Sequence, residues 1–371
     1  SQPLYDAAGT QTYSFRRFRY ALDFSGFANL DKFVMEKVDF RCNEHGSAVL
    51  LPSHGSVFSF HDCDFTKPKD RAITSHGYGC QGMLVRRCQF LSPDLNKDVV
   101  NRTTIGINVN ANDVKIQQCR AVRFKHFCVL HGSGHLIAGN HWFQGDGVPD
   151  GPRTAGIAFT QTNLKSTITG NYIDNSSIEW TNEHDAEPWF ASEFSFGGLS
   201  VTGNIFTVSD SGSWFRFLVV KPHGPDHYIQ GLSVSDNVFK SLNGSIERVE
   251  GIDASIASLD LSRSRNVTFD ANSFNAVDQI TVSPVTLKHD QTVASSPWVL
   301  DPGGFLPFGG FSRVVVSIVP EGVIADGAGG PVFDLPAVTP KYGPAKNQVR
   351  LDWSRPCHGS VQFTTRCDKQ T

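Results

Sequence analysis

Methionine is almost missing from this chain: two in 371 residues, against 28 phenylalanines and 34 glycines. That mixture is poor material for helices, which glycine weakens, and good material for strands and tight turns. Long apolar runs are missing too. None approaches the roughly 18 residues that span a bilayer, so membrane insertion is not expected. There is no Lys/Arg cluster, and 33 basic against 36 acidic residues leave a net charge of −3. A nucleic-acid partner is excluded on that ground. With 19% charged and 39% hydrophobic residues, the chain is neither a coiled coil nor disordered. Cysteine is dilute, eight in all and none in a C-x-x-C pair, which argues against a disulfide scaffold or a zinc site. Cys357 and Cys367 form the one pair considered for a disulfide. Ser1-Gln2-Pro3 opens without a basic or apolar leader. No signal peptide is visible, and an earlier natural start is expected.

What is present is a repeat. Gly231-Leu-Ser-Val-Ser-Asp-Asn-Val-Phe239 recurs as Gly198-Leu-Ser-Val-Thr-Gly-Asn-Ile-Phe206 and as His135-Leu-Ile-Ala-Gly-Asn-His-Trp-Phe143. Upstream the same frame carries Cys in place of Asn, as in Met83-Leu-Val-Arg-Arg-Cys-Gln-Phe90. The pivots are Val38, Cys63, Cys88, Cys119, Asn140, Asn171, Asn204, Asn237 and Asn272, spaced 25, 25, 31, 21, 31, 33, 33 and 35 apart. A period of 21 to 25 with variable insertions means stacked coils, not separate domains. Leu232 and Val234 alternate with polar residues as a strand does. Asp236 breaks the alternation, and Asn237 and Phe239 resume it. The residue before each pivot, Gly139, Gly170 and Gly203 among them, therefore sits in a tight turn that favours positive φ. Stacked asparagine amides would bond along the axis as a ladder, with the thiols continuing it. Runs such as Ile105-Gly-Ile107, Ile157-Ala-Phe159 and Phe217-Leu-Val219 supply a further strand per coil.

These motifs resemble the right-handed parallel β-helix, or pectin-lyase-like, superfamily of pectate lyases, polygalacturonase-related hydrolases and phage tailspikes. The resemblance spans roughly residues 20 to 285. It implies an all-β, single-stranded parallel β-helix of about nine coils over residues 1–290. A small antiparallel β module, for capping or oligomerisation, is expected over 291–371. In that module strands are expected at Arg313–Val319, Val332–Leu335, Gln348–Trp353 and Ser360–Thr364. The Asn-Thr-Asp, Asp-Asp, Gly-His-Gly and Arg-Ile-Lys series of polygalacturonase-type hydrolases is absent, Ser75-His-Gly77 being only a partial echo. Fold alone does not assign an activity.

A β-helix wall is inert until loops interrupt it. The largest insertions are Ser92 to Thr103, Gln144 to Thr154, Asp174 to Phe194 and Thr207 to Trp214. All four are expected to follow the Asn-x-Phe turn, stacking on one side as a groove for an extended polymer. The first carries Asp94, Lys97, Asp98 and Arg102. The second supplies Asp146 and Asp150 as catalytic candidates and Arg153 for substrate binding. The third supplies Glu183 and Asp185 as catalytic candidates. It adds Trp180, His184, Glu187 and Trp189 for substrate binding, the two indoles to stack on sugar rings. Asp-Gly turns and solvated acidic loops are the competing structural explanation. Another edge collects His76, His131, His223 and His227 with Lys221, where turn capping is the favoured explanation.

Two carboxylates, one protonated and one ionised, would serve a glycoside hydrolase. A lyase would need a base, with a cation to stabilise the enolate, so Ca²⁺ enters as a candidate cofactor and no metal ligand is assigned. The expected function is binding, and cleavage, of an acidic or cell-surface polysaccharide. The alternative is a non-catalytic, trimeric receptor-binding spike or fibre of a phage or phage-like particle. Either places the chain outside the cell or on a virion surface, with a polysaccharide and two further copies of itself as partners.

Overall fold

The computed structural model describes residues 3–5, 11–13, 19–75, 79–145, 149–183 and 195–369. Among these, three parallel sheets of nine strands each wind through the chain. Sheet I runs from Val34–Glu36 to Arg265–Asp270, sheet II from Asp39–Arg41 to Ser273–Asn275, and sheet III from Tyr20–Asp23 to Glu250–Ile252. Each coil gives one strand to each sheet in the order I, II, III. Each strand pairs with its equivalent one coil on, Val201 with Val234 and Val234 with Phe269. This is the expected parallel β-helix, right-handed by the rule for parallel crossovers.

The corner between sheets I and II repeats one conformation nine times. Lys37, Asp62, Arg87, Gln118, Gly139, Gly170, Gly203, Asp236 and Ala271 all take left-handed φ between 52° and 65°. Glycine does this freely, whereas the six other residues bear a cost of about 1 kcal/mol each. The pivots offset it. Asn171 Nδ2 donates to Asn204 Oδ1 at 2.9 Å and to Ile137 O at 2.9 Å, and Asn204 Nδ2 donates to Asn237 Oδ1 at 2.9 Å. The ladder runs unbroken from Asn140 to Asn272. Upstream, the Cys88 thiol donates to Phe60 O at 3.5 Å and Arg86 O at 3.4 Å. Those two carbonyls occupy the places of Ile137 O and Thr169 O beneath Asn171. The thiols thus keep the bonds to the backbone, and weaker thiol–thiol bonds from Cys63 to Cys88 and from Cys88 to Cys119 replace the amide bonds between pivots.

Strand parity sends one residue in two inward, and the interior is packed with stacked rings. Phe40, Phe65 and Phe90 lie 5.0 and 4.8 Å apart and nearly coplanar in orientation. Phe206, Phe239 and Phe274 repeat the pattern. Fully burying a side chain of this size contributes about 1.5–3 kcal/mol.

Beyond Asn275 the chain turns to antiparallel pairing. Val285–Ser295, Cys357–Arg366 and Val314–Pro320 form one sheet, joined by Ala325–Asp326; Trp298–Leu300, Gln348–Asp352 and Ala337–Tyr342 form another. The first strand of the module straddles residue 290. Val332–Leu335 is not a strand: the Val332 amide donates to Ile324 O at 2.8 Å but no ladder follows, and Phe333 and Leu335 stand 88% and 91% exposed. Trp298, Leu300, Val349, Leu351 and Phe363 make a second core. Cys357 belongs to that core and Cys367 to the β-helix core, so both thiols are free. The module is tied to the last coil by buried ions. Glu250 accepts from Arg248 Nε (3.0 Å), Thr281 Oγ1 (2.6 Å) and the Phe308 amide (3.0 Å), and Arg248 donates to Leu306 O at 2.7 Å.

Candidate functional site

The loops expected to form one groove emerge at two corners. The segment from Asp174 to Phe194 is divided by a strand of sheet III, Ser177–Thr181. The chain therefore reaches Asn182 and Glu183 at the far end of sheet III, opposite the corner where the loops after residues 91, 143 and 209 begin. Asp146, Asp185, His184, Glu187 and Trp189 lie outside the described residues. Asp150 and Glu183 are at opposite corners and are not brought together. Trp180 is a correction. Parity turns it inward with Ile178, it is fully buried against Phe196, and its indole N–H donates to Gln161 O at 3.0 Å. A residue so placed cannot stack on a sugar.

Other candidates turn out to hold loops in place. Asp94 is buried and accepts from the Thr103 and Thr104 amides at 3.0 and 3.1 Å. Arg102 is buried, donating to Gln144 O at 2.6 Å. Arg153 donates to Ser209 O at 2.8 Å and Asp210 O at 3.3 Å, tying its loop to the one two coils on. On the histidine edge, His131 bonds Thr160 Oγ1 at 2.6 Å and Asn108 Oδ1 at 2.8 Å. His227 is buried between Asn182 (2.7 Å) and Ser195 (3.2 Å). These fit the turn-capping explanation.

The same parity that buries Trp180 turns Glu179 outward, onto the face of sheet III between the two loop corners. Thr181 pairs with Lys221, and Val220 with Ile252, so Glu179, Lys221 and Asp253 lie on three successive coils of one face. Lys221 Nζ reaches Asp253 Oδ2 at 3.0 Å. Burial pushes the Glu179 carboxyl above its ordinary value; Lys221 opposes this, while Asp253 and Glu183 add to it. Asp253 goes the other way. Hydrogen bonding from Ser255 and then the Lys221 ammonium hold it down at about 2, and the Ser255 amide donates to Asp253 Oδ1 at 3.0 Å. One face thus carries a carboxyl disposed to hold a proton and a carboxylate fixed in the ionised state. Such divergence is what acid and base roles require. Two strand spacings across the sheet and two residues along it separate their backbone positions, about 12 Å in all.

Among the described residues no three His, Cys, Asp or Glu side chains converge as a metal site. A depression of about 350 Å³ lies on the outside of sheet I, lined by Lys165, Gly198, Ser200, Gly231, Ser233 and Asn266. It carries hydroxyls and one ammonium but no carboxylate pair.

The chain is thus a parallel β-helix with a carboxylate-bearing face. It matches no family model and no curated protein sequence. Among solved structures it is similar to the tailspike protein of E. coli bacteriophage HK620. A mutant in complex with a pentasaccharide is 12% identical at a TM-score of 0.43, over 94% of this chain and 71% of that one. A double mutant in complex with the pentasaccharide is 13% identical at 0.42, over the same shares. The tailspike protein itself in complex with the pentasaccharide is 13% identical at 0.38, over 94% and 69%. At this degree of likeness no chemistry carries over, and the β-helix rests on the strand registers above.

Proposed function

We propose that this chain binds a cell-surface polysaccharide across the outer face of sheet III and hydrolyses it there. The observation that carries this is the divergence of Glu179 and Asp253 on either side of Lys221. Glu179 would protonate the leaving glycosidic oxygen. Asp253, ionised at all working pH, would activate a water or support the developing positive charge, with Lys221 fixing its orientation. A glycan on a cell envelope is met from outside, so an extracellular or virion-borne setting belongs to the same proposal. The test is incubation with a panel of neutral and uronate-containing bacterial polysaccharides, following new reducing ends and ultraviolet absorbance of unsaturated products. Reducing ends without absorbance, lost in Glu179→Gln, support hydrolysis. Absorbance would replace it with elimination, and binding without either signal would leave a non-catalytic spike.

The proposal includes a homotrimer joined through the C-terminal module. What favours it is the apolar surface there: Phe333 and Leu335 are almost fully exposed, and Val323 is 73% exposed. Soluble monomers rarely leave such a group uncovered. Light scattering would give three times the chain mass, and Leu335→Asp would reduce it to one.

A further inference from the structure

Of the five tryptophans among the described residues, Trp142, Trp180, Trp298 and Trp353 are buried. Trp214 alone is exposed, at 46%. It stands at the corner between sheets II and III, four residues before the strand Leu218–Lys221 that carries Lys221. An exposed indole on a loop would ordinarily swing freely. This one is held on two sides.

Its indole N–H donates to Asp150 Oδ1 at 2.8 Å, across 64 residues of sequence and two coils. Asp150 is itself fixed. It takes a left-handed φ of 54°, and its amide donates to Asp210 O at 2.6 Å. Room for its carboxylate is made by Gly212, where a Cβ would come within 2.1 Å of Asp150 Oδ1 and 3.1 Å of the Trp214 ring. On the inner side Trp214 packs edge-on against Phe215, and Phe215 against Phe217 in the core. The ring is therefore anchored at its polar edge and at its base, with its orientation set before any ligand arrives. Pre-organised aromatic surface of this kind lowers the ordering cost of binding.

The two arginines around it are already engaged. Arg216 is paired with Glu247 and donates to Phe215 O at 2.9 Å. Arg153 donates into the carbonyls of Ser209 and Asp210. Such surroundings suit a ring that offers C–H groups to the indole and hydroxyls to the rim, and suit a uronate poorly. We propose that Trp214 is a stacking subsite for an uncharged pyranose of the glycan, and that Asp150 is the residue that positions it. This rests on the polysaccharide reading above and extends it. The subsite lies within roughly 16 Å of Glu179 along the strand direction, five residues from Val219, its sheet neighbour, at the usual rise per residue.

The experiment is binding of the full chain to an immobilised array of neutral hexose, N-acetylhexosamine and uronate oligosaccharides, with intrinsic tryptophan fluorescence read in parallel. Wild type should bind neutral members with a fluorescence change. Trp214→Ala should lose that change and bind roughly tenfold more weakly, as aromatic stacking energies imply. Trp214→Tyr should recover most of the binding. Asp150→Ala should behave like a milder Trp214→Ala. Asp150→Asn, which keeps an oxygen for the indole N–H, should recover most of the binding that Asp150→Ala loses, with KM rather than kcat moved in the weak variants. If wild type binds and Trp214→Ala binds equally well, the subsite is wrong and the glycan reading stands. If Asp150→Asn abolishes cleavage while leaving binding intact, Asp150 is catalytic and the positioning role fails. If wild type binds no member, the glycan reading and the subsite fall together.

Discussion

The two sides of each coil obey different rules. At the corner between sheets I and II, nine residues share one left-handed conformation, and the five asparagine pivots from Asn140 to Asn272 are joined by one repeated amide bond. On the outer face of sheet III successive coils differ: Asn108, Val129, Ala158, Glu179, Val219 and Gly251 occupy equivalent places. The first side is where the fold is held. The second is free of that duty, and that freedom lets a charged residue be kept there for chemistry.

The comparison is tested most severely by Glu179→Gln. If the face serves function, cleavage should fall by about 10²- to 10⁴-fold, the usual worth of a positioned general acid. The melting temperature should not fall, and circular dichroism should be unchanged. A variant that unfolds instead would erase the distinction between the two sides. Next in size is Asn204→Ala. Its amide donates to Ile168 O, Thr202 O and Asn237 Oδ1 and accepts from Asn171 N and Nδ2. Leaving the buried Asn171 main-chain amide without its acceptor, and breaking the amide bonds to Asn171 and Asn237, should cost about 3 kcal/mol by chemical denaturation, without change in kcat.

Within the ladder, Cys88→Ala should cost less, about 1 kcal/mol, because a thiol is a weak donor and acceptor, so its bonds to two carbonyls and to the thiols of Cys63 and Cys119 are each worth less than an amide's. Its neighbourhood with Cys119 and its burial push the Cys88 thiol up to about 12. A maleimide probe should therefore leave it unlabelled in the native protein and label it in denaturant. Equal losses for Asn204→Ala and Cys88→Ala would mean that coil-to-coil amide bonds add nothing to the ladder.

This contrast also explains what could be read from the sequence. The ladder is legible because it repeats: Gly-Asn recurs at 140, 171 and 204 with a large apolar residue two positions on (Trp142, Ile173, Phe206), and one unit explains the next. The site is not legible in that way. Measuring insertions from the Asn-x-Phe turn merges Asp174 to Phe194 into one loop and hides the strand Ser177–Thr181 within it. The alternation Ile178, Glu179, Trp180 carried the signal, a carboxylate between two inward apolar residues. Lys221 with Asp253, and Asp150 with Trp214, are partners only because coils stack. Local pattern does not encode a contact across 32 or 64 residues.

The smallest effect is the most diagnostic of the division. Glu179 is held above the ordinary carboxylate value chiefly by burial. In the window between its unfolded value and its raised folded value, the native state binds the proton more tightly than the unfolded state does. Stability therefore falls as pH rises through that window and stays lower above it. Glu179→Gln removes the penalty. Its melting temperature should match wild type near pH 4 and exceed it slightly at pH 7, so the difference between the two grows with pH. Asp253→Asn should show the opposite sign. Its carboxylate is held at about 2, so the stability it contributes is present above the unfolded value and vanishes only as pH falls toward 2. If both variants moved in the same direction with pH, the two carboxyls would not be held apart, and the sheet III face would be ordinary solvated surface.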